Sequence, residues 1–466
     1  MFFLSRMSLG AQDQIKEDSE EYVRTLLAGY LENDTDLKIL SLNIRQAEIN
    51  LKKTEIQNGI ELELSSGKFF ISSTGGDSYF NVSPAAKISA PLINDSSITL
   101  SGYAAGGGDT NKLENAGVSF STAIISSSVK QYKLSQIRSE RALKEAKRAL
   151  LMRGKETEKN FYNALESIYG SAVAMLTLED DVYTKNIELE AVKIQGYDPS
   201  SVRYRTIALE AAAKRREAEQ AGREMLRKQA EFLNDCGAPA QGDLPVIIPG
   251  VEIEDFVQRL DFSKLPKEKF TQIENANWAH YEGMLEREAD GNLSLNAQGG
   301  FTINNTDFSG KASSANAGLA LSVYGLELSA GTEIPLSGED KPAFTFSVGI
   351  NFNTARITAL NEKGKNLNDE RERLAIVKAH KNWEQTAISM EINKSDIIWE
   401  KQDRLEQLDL YKQLASDTEK YYKLGIVKES DYRNAASNTQ RAFYQCLLTD
   451  IKMIKYLIDC DLYFSE

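Results

Sequence analysis

Apolar residues recur along this chain with two rhythms, and the change from one to the other marks its organisation. Between 128 and 195, Phe161, Leu165, Ile168, Ala172 and Met175 follow at spacings of four and three, and Ile187, Ala191 and Ile194 repeat the rhythm. That is the seam of a heptad. At 1.5 Å per residue, the stretch predicts one helix on the order of 100 Å long. A second helix of similar length is predicted from about 355 to 424, interrupted at Gly364. The C-terminal stretch is helical again, with Leu447, Ile451, Ile454 and Ile458 at four, three, four. The nine prolines, at 84, 91, 199, 239, 245, 249, 266, 335 and 342, leave both long intervals free of helix breakers.

Ahead of each long helix the period falls to two. Residues 60–127 are rich in Ser, Gly, Thr and Asn, with alternating runs such as Ile60-Glu-Leu-Glu-Leu64, Ile98-Thr-Leu-Ser101 and Val118-Ser-Phe-Ser-Thr122. Residues 293–352 behave alike, in Leu293-Ser-Leu295, Leu319-Ala-Leu-Ser-Val323 and Phe344 to Phe352. In that last run Phe344, Phe346, Val348, Ile350 and Phe352 share one face, and Thr345, Ser347, Gly349 and Asn351 the other. Gly75-Gly76, Asn94-Asp95, Gly106-Gly107-Gly108 and Gly299-Gly300 are expected to separate the strands. Alternation alone fits a soluble sandwich with its apolar face inward, or a membrane barrel with that face outward. Strands about as long as a tilted bilayer span, between helices of ~100 Å with little else to cover them, favour the barrel.

The order of helix, strands, long helix, glycine break and return helix occurs twice. The first copy spans about 19–237, with strands near 60–126, a long helix near 128–195 and a return helix near 200–236. The second spans 266–466, with a short helix, strands near 293–352, a long helix near 355–424 and a return helix near 430–460. Its anchors are the glycine breaks at Gly196 and Gly425, and the similar helix ends Phe232-Leu-Asn-Asp-Cys236 and Tyr456-Leu-Ile-Asp-Cys460. Residues 238–265, with three prolines, read as a linker, and 1–18 as a leader or partial secretory signal. A tandem repeat with exposed seams does not close its own core, so oligomerisation is implied.

Composition narrows the functional classes. The 466 residues carry 55 Lys and Arg against 68 Asp and Glu, a net charge of −13 that disfavours nucleic acid. Mean hydropathy is −0.40, and no window supplies the ~20 apolar residues of a spanning helix. Two histidines, His280 and His380, are too few for a His-rich metal site, and no cofactor motif is present. No nucleophile–base set or phosphate loop is recognisable, and Gly106-Gly107-Gly108 lacks both the lysine and the following helix. An enzyme is not expected. Cys236, Cys446 and Cys460 show no CxxC spacing; Cys236 and Cys460 end equivalent helices, and bridged or independent thiols are both open.

The chain resembles the TolC-like outer membrane efflux protein family. The resemblance rests on Tyr30-Leu-Glu-Asn-Asp-Thr-Asp-Leu37 with its following helix, on Tyr421 to Ala435, on Ala442-Phe-Tyr-Gln, and above all on their repeated order. It implies an α+β membrane protein: a homotrimer whose transmembrane antiparallel β-barrel continues as an α-barrel of long coiled-coil helices through the periplasm. The implied function is a passive outer-membrane exit duct of a tripartite efflux or type I secretion system. Its partners would be further copies of itself, a periplasmic adaptor, an inner-membrane transporter and outer-membrane lipid. Gly196 and Gly425 would mark the helical tips at the periplasmic entrance. There the family carries an acidic residue six positions after the second glycine and often another three further on, here Asp431 and Asn434. A ring of Asp431 carboxylates would favour cations; alternatively, Asp431 caps the final helix. Tyr422 matches a family aromatic, for which packing is the simpler role. Val427 stands where a family arginine latches the tips, so Val202, Arg205, Lys428 and Glu429 become candidates for tip or adaptor contacts. Each half shows about four strand-like runs where the family contributes two: either the barrel has extra strands or the added runs are long extracellular hairpins, and the hairpins are the expected explanation. The rival architecture is a periplasmic or surface coiled-coil structural protein with a β-sandwich head.

Overall fold

The computed structural model describes residues 9–67, 70–74, 77–91, 93–107, 110–125, 128–245, 256, 267–289, 293–307, 310–323, 326–336, 341–350 and 352–463. Residues 1–8 of the expected leader, most of the expected linker, and the glycines at 75, 76 and 108 lie outside them. Helix α1 (Leu9–Asn33) occupies the rest of the expected leader, and α2 (Thr35–Gln57) follows it directly. Asp34 makes that junction. Its Oδ1 accepts the backbone N–H groups of Asp36 and Leu37, which caps α2.

The two long helices form as expected: α3 (Ser128–Ile194) and, after α4 (Val202–Asp235) and α5 (Thr271–Ala289), α6 (Phe352–Lys423). Gly364 does not interrupt α6. One glycine costs a helix about 1 kcal/mol, which 72 residues absorb. The chain closes with α7 (Glu429–Tyr463), which runs through Cys460, whereas α4 stops just before Cys236. The expected equivalence of those two helix ends therefore does not hold. Glycine ends α3 and α6 in the same way. Gly196 (φ +75°) and Gly425 (φ +73°) are left-handed, and each next residue donates its N–H five positions back, Tyr197 to Val192 and Ile426 to Tyr421.

The chain groups into two units, each drawing segments from both halves of the sequence. The first combines Met1–Leu42, Arg148–Thr271 and Lys381–Glu466. Its main core joins Val23 and Leu26 of α1, Phe161, Leu165 and Ile168 of α3, Phe232 and Leu233 of α4, and Leu447, Ile451 and Ile458 of α7. Another face of α7, with Met453, Tyr456 and Cys460, packs on Phe256 and on Met390 and Ile397 of α6. Helix α7 is thus enclosed from two sides. The α3 rhythm is buried from Phe161 to Ala172, but Ile187 and Ile194 are exposed.

The second unit, Asn43–Lys147 and Gln272–His380, holds the sheet. Its strands are β1 (Glu61–Ser65), β2 (Phe70–Thr74), β3 (Asp77–Val82), β4 (Ala85–Ala90), β5 (Ser96–Gly107), β6 (Thr110–Ile125), β7 (Leu293–Asp307), β8 (Gly310–Val323), β9 (Leu326–Pro335) and β10 (Ala343–Ile350). All ten belong to one antiparallel sheet, in the order β1-β4-β5-β6-β7-β8-β9-β10, with β3 paired to β2 and β5. A two-sheet sandwich is not what these strands build.

Register simplifies this sheet. Strands β3 and β4 lie in line along one edge of β5: Val82 pairs with Ala104 and Ala85 with Ser101, one continuous register across Ser83-Pro84. Strands β1 and β2 lie in line against them, with Ser65 opposite Ala85 and Phe70 opposite Asn81, a slip of one position. Pro84 removes a donor at the break, and Gly67 (φ +68°) crosses it where a Cβ would stand 1.9 Å from the Ser83 carbonyl oxygen. The ten segments therefore amount to eight ribbons, four from each half. The added runs are members of the sheet rather than separate hairpins. Asn94-Asp95 does turn the chain, both at φ 48°, but Gly299-Gly300 lies inside β7 and Gly106-Gly107 inside β5.

Candidate functional site

In antiparallel strands, residues directly opposite one another point to the same face. Across the sheet one row of partners runs Leu62, Ile88, Ile98, Phe120, Gly299, Ala317, Thr332, Phe344. The next same-face row runs Leu64, Ala86, Leu100, Val118, Phe301, Ala315, Ile334. The intervening row, on the other face, is Glu63, Lys87, Thr99, Ser119, Gly300, Asn316, Glu333, Ala343. So the sheet has one oily face and one small, polar face.

The large apolar side chains of the oily face are exposed, with Phe344 at 81% and Phe346 at 72%. A contiguous apolar surface of this extent needs lipid or a partner to cover it. On the polar face, glycines make room for longer neighbours lying along the sheet. A Cβ on Gly300 would meet the Asn316 amide at 2.7 Å, and one on Gly331 the Thr345 hydroxyl at 3.0 Å. Ser97 and Ser121, and Ser329 and Ser347, share hydroxyl hydrogen bonds across strands at 2.8 and 2.7 Å. Glu61, Glu63, Glu327 and Glu333 stand on this face with Lys87, leaving it acidic. The alternation named the oily face in advance; the acidic face emerges only once register aligns residues distant in sequence.

The residues expected at the tips belong to the first unit. Gly196 and Gly425 form the two turns, and Val202, Arg205, Lys428, Glu429, Asp431 and Asn434 are exposed around them. Asp431 sits in the first turn of α7 and reaches back to accept the Lys428 N–H at 3.4 Å, so the capping role is present. Tyr422 stacks on Tyr432, centroids 5.2 Å apart and planes 5° from parallel, which fixes the turn between α6 and α7. At the other turn Ser201 caps α4, and Arg203 lies over the Tyr197 ring while donating to its hydroxyl at 2.9 Å. Val202 presents only an exposed side chain.

Sequence reasoning missed the clamp behind these turns. Asp180 of α3 accepts hydrogen bonds from Ser437 at 2.7 Å and Arg441 at 2.6 Å, both on α7, and Arg433 of α7 lies 4.4 Å from the centroid of the Tyr183 ring. No local motif signals residues 250 or more positions apart. His280 also gains unexpected company. Its Nδ1 lies 3.2 Å from Glu372 Oε2 and 3.8 Å from Asp369 Oδ1. Arg287 already bridges those same oxygens at 3.2 and 3.0 Å, so a guanidinium supplies the cation in this cluster. All three cysteines are free and buried, which leaves no bridge between Cys236 and Cys460.

Comparison with known proteins fits this geometry. The TP096X N-terminal domain model matches residues 26–261 and the TP096X C-terminal domain model residues 257–466. No curated protein matches by sequence. Among solved structures, the outer membrane protein VceC from Vibrio cholerae superposes with a TM-score of 0.50 at 11% identity, covering 96% of this chain and 97% of VceC. The Campylobacter jejuni CmeC outer membrane channel gives 0.48 at 13% identity, over 96% of this chain and 86% of CmeC. The chain shares its fold with VceC.

Proposed function

The chain belongs to the TP096X family, and we propose that it is an outer-membrane channel: a passive, trimeric exit duct whose sheet spans the outer membrane and whose helices extend into the periplasm. The observation that carries this reading is the two-faced sheet, with an exposed oily face for lipid and a small, acidic face for a water-filled bore. The shared fold with VceC supports it. Among the described residues no helix is long and apolar enough to cross a membrane.

In this reading a periplasmic adaptor and an inner-membrane transporter complete an efflux or type I secretion system, docking at the exposed Val202, Arg205, Lys428 and Glu429. Asp431 and Asn434 narrow the entrance. Further copies are expected because α6 exposes Leu360, Leu367 and Leu374 at seven-residue spacing, a row with no cover in a single chain. The test is reconstitution of the purified protein into planar bilayers. Stable conductance steps are expected, with Asp431→Asn raising conductance and lowering cation preference. A protein monodisperse without detergent and silent in bilayers would end the proposal.

A further inference from the structure

The second unit holds a compact set of metal-ligand side chains to which the channel reading gives no role. Helix α5 presents His280, Gly283 and Arg287 at i, i+3 and i+7, and α6 presents Asp369 and Glu372 at i and i+3, so each set lies along one side of its helix. The ligating atoms of His280, Asp369 and Glu372 all lie within 4.8 Å of one another, and all three residues are half-buried. Two further details suit them to a cation. Gly283 weakens α5 by about 1 kcal/mol. A Cβ there would stand 2.5 Å from Glu372 Oε1 and 2.8 Å from Oε2, so glycine is what lets that carboxylate settle against α5. Arg373 holds the other Asp369 oxygen, Oδ2, at 2.9 Å, which leaves Oδ1 on the side of His280.

We propose that this cluster binds a divalent transition-metal ion, with Zn²⁺ the best match to one imidazole nitrogen and two carboxylate oxygens. The spacing of the donors is the first argument. With metal–ligand bonds of about 2.1 Å, the 3.2 Å from His280 Nδ1 to Glu372 Oε2 and the 3.8 Å to Asp369 Oδ1 subtend about 100° and about 130° at a shared ion, on either side of the tetrahedral angle. The loose hold of Arg287 is the second. Its guanidinium supplies the positive charge between the carboxylates, yet its contacts, 3.2 Å to Glu372 and 3.0 Å to Asp369, exceed the ~2.7–2.9 Å of a tight charge-assisted pair. Arg138–Glu282 and Arg441–Asp180 close to 2.6 Å in the same chain. Arg287 is thus an exchangeable counter-ion. It borders a cleft of about 600 Å³ shared with Glu286 and Asn368, into which it swings as the metal takes its place. His280 ligates through Nδ1 as its Nε2–H tautomer, and the ion joins α5 to α6 with a remaining position for water. The site depends on the second unit alone and not on the channel reading.

The experiment titrates Zn²⁺ by calorimetry into untagged, chelator-washed full-length protein in detergent, with Co²⁺ visible absorption as a second readout. One ion per chain is expected. His280→Gln and Asp369→Asn should each weaken binding at least about tenfold, the least expected even of a residue behind a ligand, and His280→Gln should also shift the Co²⁺ bands. His380→Gln changes the exposed histidine further along α6 and should bind as wild type does. Gly283→Ala crowds Glu372 and should weaken binding. Arg287→Gln removes the competing guanidinium and should tighten binding at least about tenfold, a gain that a misfolded protein cannot produce. Mg²⁺, which keeps its waters and does not favour imidazole, should not displace Zn²⁺. A wild type that binds no Zn²⁺, or binding that survives His280→Gln unchanged, would overturn the site. Binding that appears only in Arg287→Gln would overturn it as well, because the guanidinium would then be a permanent occupant. Affinity unmoved by Arg287→Gln would overturn the exchange.

Discussion

Asp34 carries more than its place in the chain suggested. Burial alone would raise its pKa, but hydrogen bonds from Thr157 and the Asp36 and Leu37 N–H groups, with the charge of Arg153, hold it below the usual carboxylate range. A depressed carboxyl stabilises the fold at pH values above its unfolded pKa, and that contribution is lost as pH falls through the folded value. Asp34→Asn should destabilise the first unit by about 1–3 kcal/mol at pH 7, and the difference from wild type should shrink below about pH 4 in thermal melts. The thiols make a complementary case. Burial pushes Cys236 and Cys460 up to about 12 and raises Cys446. A thiol reagent at pH 8 should therefore find almost none in the folded protein and three after denaturation without reductant. Fewer than three would mean a bridge.

At the scale of elements, the two turns and the two faces can be tested separately. Alanine at Gly196 or Gly425 forces a side chain into the left-handed region and should cost about 1 kcal/mol each, read from thermal unfolding. On the sheet, Leu100→Arg puts a charge on the oily face and should lower membrane insertion by about 2–4 kcal/mol. Ser119→Arg, on the opposite face of the same sheet, should insert normally and change conductance and ion selectivity instead. Equal effects from the two would contradict the two-faced sheet. The long helices and strands were legible in the sequence because period and proline spacing are local signals. The eight-ribbon count was half legible: four runs per half could be read, but their joining into one sheet required pairing between residues some two hundred positions apart, such as Val118 with Phe301. The residues around the Gly196 and Gly425 turns were picked out by resemblance, yet the Asp180–Arg441 pair between α3 and α7 was invisible for the same reason.

For the molecule as a whole, covering requirements dominate. In the proposed trimeric channel, lipid and further copies cover the exposed rows on α6 and the oily sheet face, so purified protein should demand detergent and migrate as a trimer before heating and a monomer after. Dilution below the assembly threshold should lower the melting temperature, because the folded state and the association are linked.

The uncapped margins of the sheet also set a problem for the cell that makes it. In the proposed channel, a newly exported chain whose β1 and β10 are both bare is a two-ended building block, able to polymerise into open ribbons as readily as into a closed circle. Productive biogenesis then becomes a race against runaway growth. Escort by a holding chaperone and a low standing pool of loose subunits would matter as much to yield as any contact in the finished pore.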